Sequence, residues 1–340
     1  NNDLKINNMS TDIKYFSKSN NDKKINFLIN KGKILNLDIK NSSIDINLIN
    51  DKKIIKSKIK TKGKANYSEI KIISTLLGFK LNDIKNIEFT SDLETSVKLV
   101  LSNKFKISEK EILVNGKIKS LNLEHKKIEG TKKYLPFYSS KIVLKNTEIT
   151  LDKANNLQIS GLIKFKEKNQ DIDESFENFS LNSKKISGNA FRINTKVNLN
   201  DITLNIPQLN YHKESDVKAD LEIYADVSRN GYKIYSTSYL SDKALINIFL
   251  LRLNKKLQLT NFTEIHIKTF SDSSKNNDFK IKYNKEKKQT IIEGELFDAE
   301  PLLKSLYKTK DRNTFSKDFS TELKVNFDKA ITGSNDDVSN

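Results

Sequence analysis

The sequence has no cysteine and no tryptophan, and only one methionine, three prolines and ten glycines in 340 residues. Without cysteine it cannot form disulfides, thiolate zinc sites, iron–sulfur clusters or a cysteine nucleophile. The low glycine and proline content excludes collagen-like and proline-rich chains. No apolar run approaches the roughly 18–20 residues that cross a bilayer, so the sequence predicts no transmembrane helix.

Residues that carry catalysis are nearly as scarce. The sequence has no P-loop, GxGxxG, GxSxG or HExxH motif. Its three histidines, His125, His212 and His266, are far apart and lack the carboxylate spacing of a triad or a zinc site. The acidic run 171–174 lacks the glycine and the later glutamate of a calcium loop. We therefore predict no enzymatic activity, no cofactor, no catalytic residue and no metal site.

Positive charge is the one strong excess. The 60 Lys and Arg residues against 43 Asp and Glu give a net charge of +17 and a pI of about 9.5. Such a charge raises nucleic acid or an anionic surface as a partner. The lysines are spread along the whole chain, however, and aromatic residues do not alternate with them as they do where bases are stacked. We expect no nucleic-acid partner and interpret the charge as a water-facing surface.

The dominant pattern is the alternation of apolar and polar residues with a period of two, which is typical of strands with one buried face. Short turns rich in Asn, Asp and Gly separate these segments, and this spacing favours antiparallel strands over βαβ units. The sequence predicts a mainly β fold: a long, twisted antiparallel sheet, curled into an open apolar groove, with a few short helices.

The apolar positions of this alternation are the candidate binding residues. If the sheet curls without closing, they line a groove that can hold acyl chains; if two sheets close on each other, they form a sandwich core. Both interpretations are open for each residue. The candidate lipid-binding residues are Leu157, Ile159, Ile163, Phe165, Ile202, Leu204, Ile206, Leu221, Ile223, Phe279, Ile281, Leu323, Val325 and Phe327.

The spacing of apolar residues predicts three helices, over 68–77, over 241–253 and from Pro301 onward. Ser68 is the expected N-cap of the first helix, and Gly78 lies just past its end. The segment before Pro301 reads as a strand that ends in a turn. We expect Asp298 or Glu300 to accept hydrogen bonds from the open N–H groups of the third helix.

Three elements, in this order, resemble AsmA-like proteins of the TamB superfamily, particularly their YhdP-like members. Residues 294–303 (GELFDAEPLL) resemble a glycine–strand–Phe-Asp-Ala-x-Pro-Leu-Leu element of that family. Residues 157–165 resemble its recurring strand of the form apolar-x-apolar-x-Gly, and residues 68–78 resemble a short helix that precedes its next strands. The chain departs from the family in its abundance of Lys and Asn and in Glu300, where a basic residue is common.

This resemblance implies both a fold and a role. AsmA-like proteins are similar to bridge-like lipid-transfer proteins: an inner-membrane helix precedes a long periplasmic β-groove, which is implicated in phospholipid movement to the outer membrane. On this basis we expect an internal or C-terminal fragment of a cell-envelope protein, with residues 1–328 forming one continuous groove region and 329–340 a flexible end. The expected partners are phospholipid acyl chains, together with an inner-membrane anchor elsewhere in the full-length protein, and the expected location is the periplasm.

The residues alone leave two other functions open. A β-rich structural or adhesive surface protein with a closed core would have no continuous apolar groove and no dependence on lipid. A basic protein that binds nucleic acid or another anionic polymer would have a clustered basic face, and its affinity would fall steeply with salt.

Overall fold

The computed structural model describes residues 6–19, 22–49, 52–76, 81–102, 104–128, 130–133, 135–166, 175–270, 276–300, 321–332 and 337–339. Strands make up 74% of the described residues, which confirms the predicted mainly β fold. The chain divides into two compact units, Asn1–Lys127 with Ser139–Asp173, and Ile128–Tyr138 with Glu174–Asn340. One continuous region over 1–328 stays a prediction, and paired strand structure continues past residue 328 to Ile331.

The first unit is an antiparallel meander in which each of eight strands pairs with the next. The longest pair, β5 and β6, has 19 residues in each strand. The strands are β1 (Ile6–Ser19), β2 (Asp22–Ile34), β3 (Leu37–Ile49), β4 (Lys52–Ala65), β5 (Ile84–Ser102), β6 (Ile107–His125), β7 (Lys141–Leu151) and β8 (Asn156–Lys166).

The second unit has a sheet in which β9, β10, β13, β14, β15, β17, β18 and β19 pair in this order, all antiparallel. β20 then pairs parallel to β19, β21 pairs with the end of β20, and β16 pairs with the end of β15. The strands are β9 (Glu177–Ser187), β10 (Ala190–Asn198), β13 (Ala219–Ser228), β14 (Gly231–Ser241), β15 (Ala244–Asn254), β16 (Leu259–Asn261), β17 (Glu264–Thr269), β18 (Asn277–Asn284), β19 (Gln289–Asp298), β20 (Glu322–Ile331) and β21 (Asp337–Ser339).

A segment over residues 199–218, which we call the cover segment, interrupts the second sheet between β10 and β13. It contains the two-stranded sheet of β11 (Leu204–Ile206) and β12 (Tyr211–Lys213), joined by a 3-10 turn over Pro207–Leu209. A second 3-10 turn covers Thr131–Lys133. We use the names first sheet and second sheet for the paired strands of the first and second units. Within the described residues these strands do not close into a barrel and, apart from β19 with β20, they pair antiparallel, so the predicted open and mainly antiparallel arrangement is confirmed.

The structure describes one α-helix, α1 (Tyr67–Leu76), where the sequence predicted a helix over 68–77. The N-cap assignment to Ser68 was wrong, because Asn66 occupies that position. Its Oδ1 accepts a hydrogen bond from the Glu69 backbone N–H at 3.2 Å, and Glu69 Oε2 accepts one from the Asn66 N–H at 2.9 Å. Asn66 and Glu69 thus form a capping box, and the side-chain amide of Asn36 donates to the same carboxylate.

The helix predicted over 241–253 was wrong, because this segment forms β15, between β14 and β17. Ala244, Ile246 and Ile248 lie on one face, as alternate residues of a strand do. Leu250 has a positive φ of 50°, and beyond it the buried positions are Leu251 and Leu253. This change of parity produces a spacing that resembles a helical one in the sequence. The helix predicted from Pro301 lies outside the described residues.

The capping box gives a direct test of the helix start. Replacing Asn66 with Ala removes the acceptor for the Glu69 N–H and should lower the free energy of unfolding of the first unit by about 1 kcal/mol. Lys71→Ala, at an exposed position of the same helix, is the matched control and should change it by less than about 0.5 kcal/mol. Urea unfolding followed by circular dichroism measures both; equal effects of the two changes would contradict the assignment.

Candidate functional site

The second sheet has one apolar face, and its side chains form rows that cross the strands. The covered row is set by direct cross-strand pairing and is largely buried: Leu221, Tyr239, Ile246, Ile267, Phe279, Gly294 and Phe327. The open row lies two residues along each strand: Ile223, Thr237, Ile248, Ile265, Ile281, Ile292 and Val325. From Ile223 to Ile292 the open row is half-buried, and Val325 is 54% exposed.

The cover segment buries the covered row. Its residues Leu199, Leu204 and Tyr211 form a cluster with Leu221 and Tyr239 of the sheet. The Tyr211 hydroxyl lies 2.7 Å from that of Tyr239, and this hydrogen bond satisfies two polar groups inside an apolar cluster. Burial raises the pKa of Tyr239 far above its ordinary value, so this phenol stays protonated.

Lys213 holds the base of the cover segment. Its side chain is 2% exposed, and its ammonium donates to the backbone carbonyls of Asn200 at 2.8 Å, Ile202 at 2.9 Å and Glu214 at 2.9 Å. Burial lowers the pKa of Lys213, and the negative charge of buried Glu177 opposes that shift. These three hydrogen bonds connect residues near the two ends of the cover segment, so the segment is held together by its own contacts as well as by packing on the sheet.

A second set of polar contacts ties the tip of the cover segment to β18 and β19. The side-chain amide of Asn277, 1% exposed, donates to the Leu209 carbonyl and to Thr269 Oγ1, both at 3.0 Å. Its Oδ1 accepts a hydrogen bond from the backbone N–H of Asp298 at 3.0 Å. The Asn210 amide donates to the Asp298 carboxylate at 3.4 Å. Buried polar groups that are paired in this way fix one position of the tip.

The element 294–299 has a clear structural role in this region. Phe297 stacks on Phe327 with centroids 4.9 Å apart, and Phe279 contacts both rings edge-on. A Cβ atom on Gly294 would lie 2.7 Å from the Phe279 Cβ and 2.3 Å from the Asp278 carbonyl oxygen, so the close approach of β18 requires glycine. Asp298 Oδ1 accepts from the Glu300 N–H at 3.3 Å; any further helical N–H lies outside the described residues.

A loop covers the other side of the open row. Leu257 and Phe262, on the connection between β15 and β17, pack with Leu251 and Leu253 and against Ile248 and other open-row residues. Phe262 also stacks on Tyr283 with centroids 5.5 Å apart. The open row therefore lies between two covered margins and is itself only half-buried.

The opposite face of this sheet carries charge. Arg192 Nε and Nη2 donate to the two carboxylate oxygens of Asp226 at 2.8 and 3.0 Å, and the Tyr235 hydroxyl donates to the same group at 2.7 Å. The Arg192 bonds are the main cause of a lowered pKa for Asp226. Lys268 pairs with Asp278 at 2.7 Å. The separation of apolar and charged faces predicted from the sequence is therefore present.

The first sheet repeats this plan. One row of the first sheet begins beside α1 and is buried except at Phe89: Ala65, Phe89, Leu121, Leu144 and Ile163. A parallel row of half-buried residues follows further along the strands: Thr95, Val114, Leu151 and Leu157. The other face carries ion pairs, such as the one between Glu94 and Lys58 at 2.8 Å. The hydrogen bond from Lys58 lowers the pKa of Glu94.

The fourteen candidate residues fall into three groups. Five are buried: Ile163, Leu204, Leu221, Phe279 and Phe327. Seven are half-buried: Leu157, Ile159, Phe165, Ile202, Ile206, Ile223 and Ile281. Leu323 and Val325 are 59% and 54% exposed.

The structure brings the sheet residues of each unit together on one face. It places Ile202, Leu204 and Ile206 in the cover segment instead, where they pack onto that face. Sequence reasoning missed Ile248, because its segment was predicted to be helical; the alternation of Ile246 and Ile248 with Asn247 was the available signal. The roles of Lys213 and Asn277 had no signal, since nothing in their neighbours distinguishes them from exposed polar residues.

Among the residues that the structure describes, no group of three or more His, Asp or Glu side chains could hold a metal ion, and no helix is long and apolar enough to cross a bilayer. His266 lies on the charged face, 3.4 Å from Asp278. No protein-family model, no curated protein and no solved structure matches the chain.

The contacts of Lys213 predict that the cover segment depends on it. Lys213→Met removes the donor for three backbone carbonyls and should lower the free energy of unfolding by about 2 kcal/mol or more. Amide hydrogen exchange over residues 199–218 should accelerate more than exchange elsewhere. The control is Lys218→Met, an exposed lysine of the same segment; unchanged exchange in Lys213→Met would contradict this role.

The same variant carries a pH signature. Because the pKa of Lys213 is lower in the folded than in the unfolded protein, folding releases protons at pH values between these two pKa values. The stability of the wild type relative to Lys213→Met should therefore rise as the pH passes through the lowered pKa, and level off above the ordinary lysine value of about 10.4.

Proposed function

We propose that the chain is a non-catalytic lipid-binding segment, in which the half-buried rows of the two sheets bind the acyl chains of phospholipids. The observation that carries the proposal is the open row of the second unit. Aliphatic side chains cross seven neighbouring strands from β13 to β20 with a single threonine among them. An apolar lining without specific polar groups suits a hydrocarbon chain better than a ligand that needs oriented hydrogen bonds.

The dimensions of the row fit this ligand. Neighbouring strands lie about 4.8 Å apart, so six steps span roughly 30 Å, close to the thickness of a bilayer's hydrocarbon core, which contains two acyl chains end to end, and one chain therefore has room to lie along the row. Burying roughly ten methylenes would contribute about 8 kcal/mol. Since the row is uniform along its length, an acyl chain would find no single deep position, and lipids could slide along it.

Together with the resemblance of the sequence to AsmA-like proteins, this supports a role in phospholipid transport between the inner and outer membranes. The segment would then belong to a periplasmic part of a longer protein anchored in the inner membrane, and would contribute to outer-membrane maintenance. The charged faces support the same proposal, since they keep the opposite side of each sheet in water.

The exposed strand β20, which carries the last residue of the open row (Val325) and the next residue on the same face (Leu323), provides the test. The double change Leu323→Asn and Val325→Asn alters side chains that are already exposed, so the fold should persist. The affinity for cis-parinaric acid, which fluoresces in apolar sites, should fall about tenfold, because two apolar contacts with the chain are lost. Lys324→Asn, on the opposite face of the same strand, should leave it unchanged.

Lipid extraction of the purified wild type is the accompanying measurement. Phospholipid in the organic extract, and its reduction in the double variant, are expected. A wild type that neither retains phospholipid nor enhances the fluorescence of the probe would refute the proposal and favour the closed-core structural protein.

A further inference from the structure

The tip of the β5–β6 hairpin presents an exposed aromatic residue among lysines. Phe105 is 68% exposed and Ile107 is 58% exposed. Lys104 and Lys106 flank Phe105 and are exposed, and the Lys53 ammonium lies 3.3 Å from the centroid of its ring. Within the described part of the chain, no carboxylate forms an ion pair with Lys104 or Lys106.

The backbone of this tip is unfavourable for phenylalanine. Phe105 has a φ of +55°, in the left-handed region that bulky residues avoid. The turn is closed by hydrogen bonds from the Phe105 N–H to the Ser102 carbonyl and from the Ser102 N–H to the Lys106 carbonyl, both 2.9 Å. A residue with a positive φ is therefore built into the turn.

Two other hairpins in the chain have the same pair of turn hydrogen bonds and serve as internal comparisons. The equivalent residue of the β7–β8 turn is Asn155, which tolerates this conformation. That of the β15–β16 turn is Leu257, whose side chain packs against a buried cluster. Phe105 has neither the favourable backbone preference of Asn155 nor the buried contacts of Leu257, so its place in the fold does not explain the residue.

The tip adjoins the apolar face of the first unit. Ile107 pairs with Leu101, and Leu101 pairs with Lys53, in a row two residues beyond Ile55 and Leu99 on the same face. Ile49, 44% exposed, lies at the same end of the sheet but on the opposite face, since it pairs with Lys52 and Lys52 pairs with Ser102. Phe105 and Ile107, next to Leu101, thus form an exposed rim where the apolar face reaches the β5–β6 hairpin.

We propose that this rim docks the first unit on an anionic bilayer surface, with Phe105 inserted among the acyl chains and Lys104 and Lys106 at the lipid phosphates. An aromatic ring beside cationic side chains suits the membrane interface, where a ring enters the hydrocarbon boundary and lysines remain at the headgroups. A partner protein could supply carboxylates to the unpaired lysines, but it would not by itself require a protruding aromatic ring. An anionic bilayer has phosphates for the lysines and a hydrocarbon region for the ring. The proposal is independent of acyl-chain binding by the sheet faces, although docking there would bring a face to its source of lipid.

The absence of tryptophan makes the test direct, because Phe105→Trp introduces the single tryptophan of the chain. The full 340-residue chain is titrated with vesicles of phosphatidylcholine mixed with phosphatidylglycerol, and with phosphatidylcholine alone. A blue shift of the emission with the anionic vesicles, and quenching by brominated acyl chains, are expected. Emission that stays at the position of an exposed tryptophan would overturn the proposal, as would a shift produced by a DNA oligonucleotide and not by vesicles.

Variants separate binding from folding. Phe105→Asn relieves the backbone conformation and should unfold at the same or a higher temperature, yet it should partition about tenfold more weakly to anionic vesicles in sedimentation. Phe270→Asn is the matched control, since Phe270 is 45% exposed with Lys268 5.6 Å from its ring, on the second unit. Equal losses in both variants, or none in Phe105→Asn, would contradict the proposal.

Two further measurements complete the design. Replacing both Lys104 and Lys106 with Glu should also weaken partition about tenfold at low salt, with a smaller difference at high salt; a loss that does not depend on salt would contradict the role of the lysines. Phe105→Asn should bind cis-parinaric acid like the wild type, so a failure of docking and a failure of acyl-chain binding give different results.

Discussion

Antiparallel pairing on a fixed register is the constraint on which both units depend. Each pairing places a residue directly opposite its partner, on the same face. When every second residue of each strand is apolar, the apolar side chains therefore form rows that cross every strand. Leu221 and Ile223 of β13 begin two such rows, which stay on one face through the antiparallel strands to β19 and then continue to the parallel strand β20. A slip of one residue in any strand would move its apolar set into water.

The two rows differ in what lies over them. The covered row is buried because Lys213, Asn277 and Asp298 hold an apolar segment against it through buried hydrogen bonds. The open row has no such segment within the described residues: Leu257 and Phe262 pack along one side of it, and its side chains are half-buried from Ile223 to Ile292. Exposing aliphatic rows to water is unfavourable, and the acyl chains that we propose as ligands would cover the open row of each unit.

Much of the fold could be predicted because period-two alternation is a local signal. The strands around Leu157, Leu221 and Phe279 have it, and each lies where it was predicted. The signal failed at β15, where the positive φ of Leu250 changes the parity and both faces of the strand are apolar. The alternation also could not show that residues 202–206 belong to the cover segment, because a strand that lies over a sheet has the same alternation as a strand within it.

The polar residues show a deeper limit of sequence reasoning. Lys213 and Lys218 are five positions apart in one segment, yet one is buried with three carbonyl partners and the other is exposed. The difference arises from the path of the backbone around them, which only tertiary structure fixes. Phe105 is the converse case. Its local conformation opposes its residue type, and the contact of its ring with the Lys53 ammonium leaves the residue 68% exposed, so the reason for this residue is to be sought outside the fold.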